Sequence, residues 1–243
     1  MQETSTHTYF EPKTILCISA HPDDMEGWAA GSLLQWIDQG AAVYYLVLTN
    51  GDKGSADRSA QSAELTSTRQ TEQKNAADLI GVKEVFYGDY SDGELINSPD
   101  VKRDIVRIIR RIQPDTVITW DPTMIYCAEL NLINHTDHRA CGQAALDAIY
   151  PLARDHLSFP ELLNNEGLEP HAVKTALLIN TNTPNFVVDI TKTIDKKVQA
   201  LHQHTSQFPD IGKCRSFVES MASVCAKNQN MDYAESFVRI NID

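Results

Sequence analysis

The chain has 243 residues, enough to bury a substantial core as one α/β domain or two small ones. With 33 acidic against 21 basic residues the formal charge is -12, and no basic stripe offsets it, which excludes nucleic acid and anionic membrane surfaces as partners. Five scattered cysteines, Cys17, Cys127, Cys141, Cys214 and Cys225, form no C-x-x-C pair, so neither a disulfide framework nor a thiolate zinc site is signalled. The opening residues have no basic n-region or apolar h-region, and no run approaches the ~18 apolar residues of a membrane span; a cytoplasmic protein without membrane insertion is the expectation.

In chain order, residues 1 to 12 read as a flexible polar arm and Lys13 to Ala20 (KTILCISA) as a short strand buried on both faces. At its tip stands His21-Pro-Asp23-Asp24-Met-Glu26. In an open α/β sheet, the loops leaving the carboxyl ends of strands line the ligand crevice. His21 and Asp24, three apart, let one tight loop aim an imidazole nitrogen and a carboxylate oxygen at a single cation, while Asp23 points elsewhere, free to act as a base. The same residues would also serve as ordinary helix caps, so this stretch does not decide alone. Gly27 to Gln39 follows as a helix with Gly40 at its end.

Val43 to Thr49 is the second strand, leading into the turn-rich loop from Asn50 to Ser55, and a helix is predicted over Ala63 to Ile80, carrying Arg69 and Glu72. Lys83 to Tyr87 reads as a third strand, followed by the acidic loop Asp89 to Leu95, which contains Asp92. From Pro99 the residues Val101, Ile105, Ile108, Ile109 and Ile112 form one stripe of an amphipathic helix that Pro114 stops. Thr116 to Trp120 is the fourth strand, and a longer loop reaches His135-Thr-Asp-His138, after which Ala140 to Tyr150 reads as helix. Alone, H-x-x-H is often a surface coincidence. Combined with the first loop, one His and one Asp there plus a later His make the three protein ligands of a catalytic zinc site whose fourth position holds water.

Residues 151 to 170 read as an irregular excursion over the site, Val173 to Asn180 and Phe186 to Ile190 as strands, and Ile194, Val198 and Leu201 as the buried face of a helix that ends at the polar cluster His202, His204, Ser206 and Gln207. Helical sequence continues to about residue 229, and Ser236 to Ile242 alternates like a final edge strand. There is no internal repeat, low-complexity segment or linker. The expected fold is α/β, a Rossmann-like, mostly parallel sheet flanked by helices, in one domain over residues 1–243.

On these motifs the chain resembles the PIG-L/LmbE-like zinc-dependent N-acetylglucosaminyl deacetylases. Ala20 to Glu26 matches the family's A-H-P-D-D-x-E, and His135 to Gly142 its second motif, H-P-D-H-x-A-x-G. Between them lie Thr49 to Gly54 (T-x-G-x-x-G), Arg69 with Glu72 (R-x-x-E) and Asp92-Gly93; Val188-Asp-Ile190 and His204-Thr-Ser-Gln207 follow. The resemblance implies that His21, Asp24 and His138 hold the metal, Zn2+ with Fe2+ or another divalent ion as alternatives. It implies Asp23 as general base, a protonated His135 beside the oxyanion, and Arg69, Asp92 and His204 as substrate contacts. The implied partner is a small N-acetyl sugar or its conjugate, and a homo-oligomer is left open.

Three positions depart from the family pattern: Trp28 and Ala30 replace usual glycines, and Thr136 replaces the proline of the second motif. A mononuclear iron oxygenase shares the two-His, one-carboxylate set, but on a β-sandwich. Gly27-Trp-Ala-Ala-Gly31 fails the dinucleotide-binding spacing. A zinc amidase acting on another small amide and a non-catalytic metal or sugar-binding module stand as the alternatives.

Overall fold

A computed structural model describes residues 10–127 and 131–242; residues 1–9 of the arm lie outside the described residues. Apolar, β-branched runs form the centre of a seven-stranded sheet of order β3-β2-β1-β4-β7-β9-β8. Its strands are β1 (Thr14–Ser19), β2 (Ala42–Thr49), β3 (Glu84–Tyr90), β4 (Thr116–Trp120), β7 (Thr175–Ile179), β8 (Phe186–Asp189) and β9 (Ala234–Asn241); Tyr126–Cys127 (β5) and Leu132–Ile133 (β6) make a separate antiparallel pair. β1 to β4 and β7 run parallel, and β4 and β7 are buried at every residue, as strands covered on both faces must be. The final strand was expected at the edge. Instead β9 lies between β7 and β8, antiparallel to both, because Ala234, Glu235 and Phe237 are buried against neighbours on either side.

The helices are α1 (Asp24–Trp28), α2 (Ala30–Asp38), α3 (Ser62–Ile80), α4 (Pro99–Ile112), α5 (Thr136–Asp147), α6 (Pro160–Asn164), α7 (Ile194–Leu201) and α8 (Ile211–Ala226), with one wide π-type turn over Ala148–Leu152. The single helix expected over Gly27 to Gln39 is divided at Ala29, whose φ of -136° breaks the ladder. Glu235 caps the second piece by accepting from the Gly31 and Ser32 amides. Helix α5 starts at Thr136, not Ala140, which puts His138 in its first turn.

The excursion after α5 does not cover the site. Its carbonyls at Leu152, Ala153, Asp155, Ser158 and Phe159 all accept from the guanidinium of buried Arg110 on α4, which ties it to that helix. One apolar core follows the sheet, and a smaller one joins Ile190, α7 and α8. Cys17, Cys141 and Cys214 are free and buried. No helix among the described residues is long and apolar enough to cross a membrane.

Candidate active site

The ends of β1, β3 and β4 and the start of α5 bring His21, Asp24, Asp92, His135 and His138 to one cavity of about 650 Å³, which Asp23 and Arg69 also line. Three donor atoms form a triangle. His21 Nδ1 is 3.2 Å from His138 Nε2, His138 Nε2 is 3.3 Å from Asp24 Oδ1, and Asp24 Oδ1 is 3.7 Å from His21 Nδ1. Ligands about 2.0–2.2 Å from a tetrahedral ion stand about 3.3–3.6 Å apart, so the donor set fits one face of such a coordination shell.

The other atom of each of these three groups is already engaged. Asp24 Oδ2 accepts from the Ala20 and His21 amides at 2.9 and 2.8 Å and from Trp120 Nε1 at 3.1 Å, leaving Oδ1 for a cation. His21 Nε2 is 3.2 Å from both Asp137 Oδ2 and Asp92 Oδ1, which fixes its proton on that nitrogen and bares Nδ1. His138 Nδ1 donates to Asn134 Oδ1 at 2.9 Å and its ring stacks on Trp120 at 3.5 Å, so Nε2 faces inward. Two bare imidazole lone pairs and a carboxylate oxygen therefore converge, an arrangement that is repulsive without a cation or proton among them. Further donor groupings on the same loops, His21 with His135 and His138, and His21 with Asp92, His135 and Asp137, share this His21. They lack the three-fold locking of Asp24.

Electrostatics separate the neighbouring aspartates. Burial alone would raise the Asp24 carboxyl, but when the facing imidazoles carry a proton, the charge of His138 and the contacts with His138 and His21 hold it well below the usual carboxylate range. For Asp23, burial dominates and pushes the pKa up, against the opposing charges of Arg69 and His204. Asp23 sits at φ 86°, a left-handed conformation that costs a β-carbon residue of order 1 kcal/mol or more. Its amide donates to Gln73 Oε1, and its Oδ2 accepts from Arg69 Nη2 at 2.9 Å, which turns the carboxylate away from Asp24's role. Arg69 is committed besides to the Gly51 and Pro22 carbonyls. A Cβ at Gly51 would collide with its guanidinium, and one at Gly142 with the Trp120 carbonyl, so these motif glycines mark close approaches around the site.

Two sequence expectations change here. His135 was expected protonated, yet its Nδ1 accepts from the Asp137 amide, and burial with the charges of His21 and His138 lowers its pKa; both favour the neutral ring with Nε2 as its donor. His204 was expected to touch substrate, yet it is fully buried, with Nε2 3.5 Å from Glu26 Oε2, beneath the cavity. Burial disfavours its charge, but Glu26, Asp23 and Glu72 outweigh this and raise its pKa. Asp92 lines the cavity, held below the usual carboxylate range mainly by its hydrogen bond with His21.

Asp137, Asn134 and Trp120 were missed by sequence reasoning. Asp137 is fully buried, accepts from the Gly93 and Leu95 amides as well as contacting His21, and its only sequence signal was its place between the two histidines.

The PIG-L family profile, described as GlcNAc-PI de-N-acetylase, matches residues 16–149, more than half of the chain. Diacetylchitobiose deacetylase of Thermococcus kodakarensis is 33% identical over 198 residues, 82% of this chain and 71% of that protein. The structure of N,N'-diacetylchitobiose deacetylase from Pyrococcus horikoshii, bound to an inhibitor, superposes with a TM-score of 0.87 at 32% identity, covering 95% of this chain and 84% of the other. GalB of Pseudomonas putida, a 4-carboxy-2-hydroxymuconate hydratase, shares the fold with a TM-score of 0.74 at 21% identity, over 95% of this chain and 97% of that one. The fold therefore serves more than deacetylation. The profile match over β1 to α5 and the likeness to the Thermococcus enzyme place this chain in the PIG-L family of de-N-acetylases.

Proposed function

We propose that the protein is a metal-dependent N-deacetylase that removes the acetyl group of an N-acetylated amino sugar or its small conjugate. The observation that carries this reading is the triangle of His21, Asp24 and His138 donor atoms beside a separately held Asp23. A divalent ion there, zinc or iron by the donor set, would supply Lewis acidity and bring a water to a pKa of about 7. Asp23, raised by burial and steadied by Arg69, would take the proton of the attacking water as general base. The Nε2–H of neutral His135 would donate to the carbonyl oxygen as it gains charge, an effect worth several kcal/mol when preorganised. Asp23, once protonated, would pass its proton to the departing amine.

The substrate class rests on two supports. Diacetylchitobiose deacetylase of Thermococcus kodakarensis and a probable N-acetyl-alpha-D-glucosaminyl L-malate deacetylase of Bacillus anthracis are among the relatives, and the Asp92 carboxylate in the cavity wall offers an acceptor for a sugar hydroxyl. A site built on such groups rejects a substrate lacking the hydroxyl by up to ~10⁴. The test compares kcat/KM for N-acetylglucosamine conjugates with that for simple acetamides and acetylated lysine peptides, using metal-loaded protein. Selective amine release from the sugars is expected; equal or better turnover of the peptides would reject the sugar reading and leave a metal amidase. Amine release from none of them would favour the hydratase-like use of this fold.

A further inference from the structure

Asp23 reaches the cavity from a peptide bond held in an unfavourable orientation. At φ 86° and ψ -19° it lies in the left-handed region, which only glycine adopts freely, although helix α1 begins at the very next residue. Turning the Pro22–Asp23 peptide by half a revolution would carry that φ to roughly -94°, an ordinary right-handed value at the same ψ. The strain therefore has a local route of release, and something must close it.

Helix α3 grips both ends of this one peptide unit. Arg69 Nη2 donates to the Pro22 carbonyl at 2.8 Å, and the Asp23 amide donates to Gln73 Oε1 at 3.1 Å. Arg69 and Gln73 stand four apart on α3, on one face of it, and both are buried. Glu26 decides which way the Gln73 amide points, because its Oε1 accepts from Gln73 Nε2 at 3.0 Å and a reversed amide would set oxygen against oxygen there. Gln73 Oε1 is thus left toward Asp23. A turned peptide would present the Pro22 carbonyl to that same oxygen, acceptor against acceptor. The contacts of the neighbouring Asp24 are separate, since its Oδ2 is held by the Ala20 and His21 amides and by Trp120.

We propose that Gln73 is a positioning residue for the deacetylation, keeping the Asp23 carboxylate aimed at the attacking water by locking the Pro22–Asp23 peptide in its strained orientation. This rests on the reading of Asp23 as general base and names what holds it in place. Gln73 does not itself line the cavity. A misplacement of about 1 Å in a reacting group can cost ~10² in rate, so the loss should fall on kcat rather than on KM or metal content.

Steady-state kinetics and metal analysis of metal-loaded wild type, Gln73→Met, Asp23→Asn and the double variant test it. Met matches the length of Gln without its acceptor or its donor. Gln73→Met should lower kcat ~10-fold or more, leave KM within ~2-fold and keep the ion, and it should add little in the Asp23→Asn background, where no base remains to be misplaced. Gln73→Glu, which restores the acceptor and can share a proton with Glu26, should recover most of kcat. Gln73→Asn, one methylene too short to reach the Asp23 amide, should behave like Gln73→Met and replaces it should the Met variant not fold. Amide hydrogen exchange followed by NMR is independent of turnover: the Asp23 amide should exchange ~10-fold or more faster in Gln73→Met, while those of Ala20 and His21 keep their wild-type rates. An equal loss of kcat in both backgrounds, or an unchanged Asp23 exchange rate, would overturn the role of Gln73 and leave Asp23 as base. An Asp23→Asn variant as active as wild type would overturn the base, and the role of Gln73 with it.

Discussion

Asp23 and Asp24 are adjacent and chemically alike, yet their surroundings differ and suit them to the opposite tasks proposed for them. Three donors fix one oxygen of Asp24, and two imidazoles face the other; Asp23 meets a single guanidinium and lies partly desolvated. Asp23→Asn should therefore keep its metal and lose about 10²-fold or more in kcat, while Asp24→Asn should lose the metal itself. Metal analysis beside steady-state kinetics checks this, and equal metal loss in both variants would contradict the division. Trp120 acts one step further out. Trp120→Phe keeps a ring against His138 but removes the donor to Asp24 Oδ2, and should weaken metal affinity ~10-fold or more in a competition titration with a chelating dye. At this scale the proposed ligands and base were legible in the sequence, as polar residues at a strand tip and in an H-x-x-H pair at a helix start. Their supports were hidden: Trp120 read as one more apolar strand residue, and Asn134 and Asp137 gain meaning only when α5 is laid beside β1 and β3.

Among the elements, α3 works as a strut between two parts of the site. Arg69 on one turn holds Asp23, and Glu72 on the next accepts from Thr205 and Ser206, fixing the segment that follows α7 and places His204 against Glu26 of α1. Because the folded state raises the His204 pKa, the stability this contact adds is fully present below the ordinary histidine value of about 6.5 and is lost as pH rises through the raised value. The melting-temperature gap between wild type and His204→Gln should thus narrow with rising pH; a gap that widens would show the contact to be neutral or repulsive. Arg110 has a comparable structural burden on the opposite flank. Arg110→Met leaves the carbonyls of the excursion after α5 without their donor and should cost about 3 kcal/mol or more in denaturant unfolding. Apolar periodicity marked most helices and strands correctly. It missed the break at Ala29, which no Gly or Pro at that position announces, and the early start of α5, where polar residues are helical because His135 caps them.

For the molecule as a whole, strand alternation with helices was enough to indicate a mostly parallel sheet, since crossover helices cover both its faces. Strand order was not legible: the alternating pattern of β9 describes a half-buried strand wherever it sits, and only packing puts it between β7 and β8. The same topology carries a hydratase in GalB, so the activity resides in what the strand tips hold. The net charge of -12 adds a long-range preference for neutral over anionic substrates that salt should weaken. Chemistry at these tips should require an ion on His21, Asp24 and His138. Its most direct test is amine release from an N-acetylglucosamine conjugate by protein of known metal content, before chelation, after it, and after zinc is restored. About one ion per chain is expected, with activity that disappears with the ion and returns with zinc; turnover that persists in fully metal-stripped protein would contradict a metal-dependent reaction.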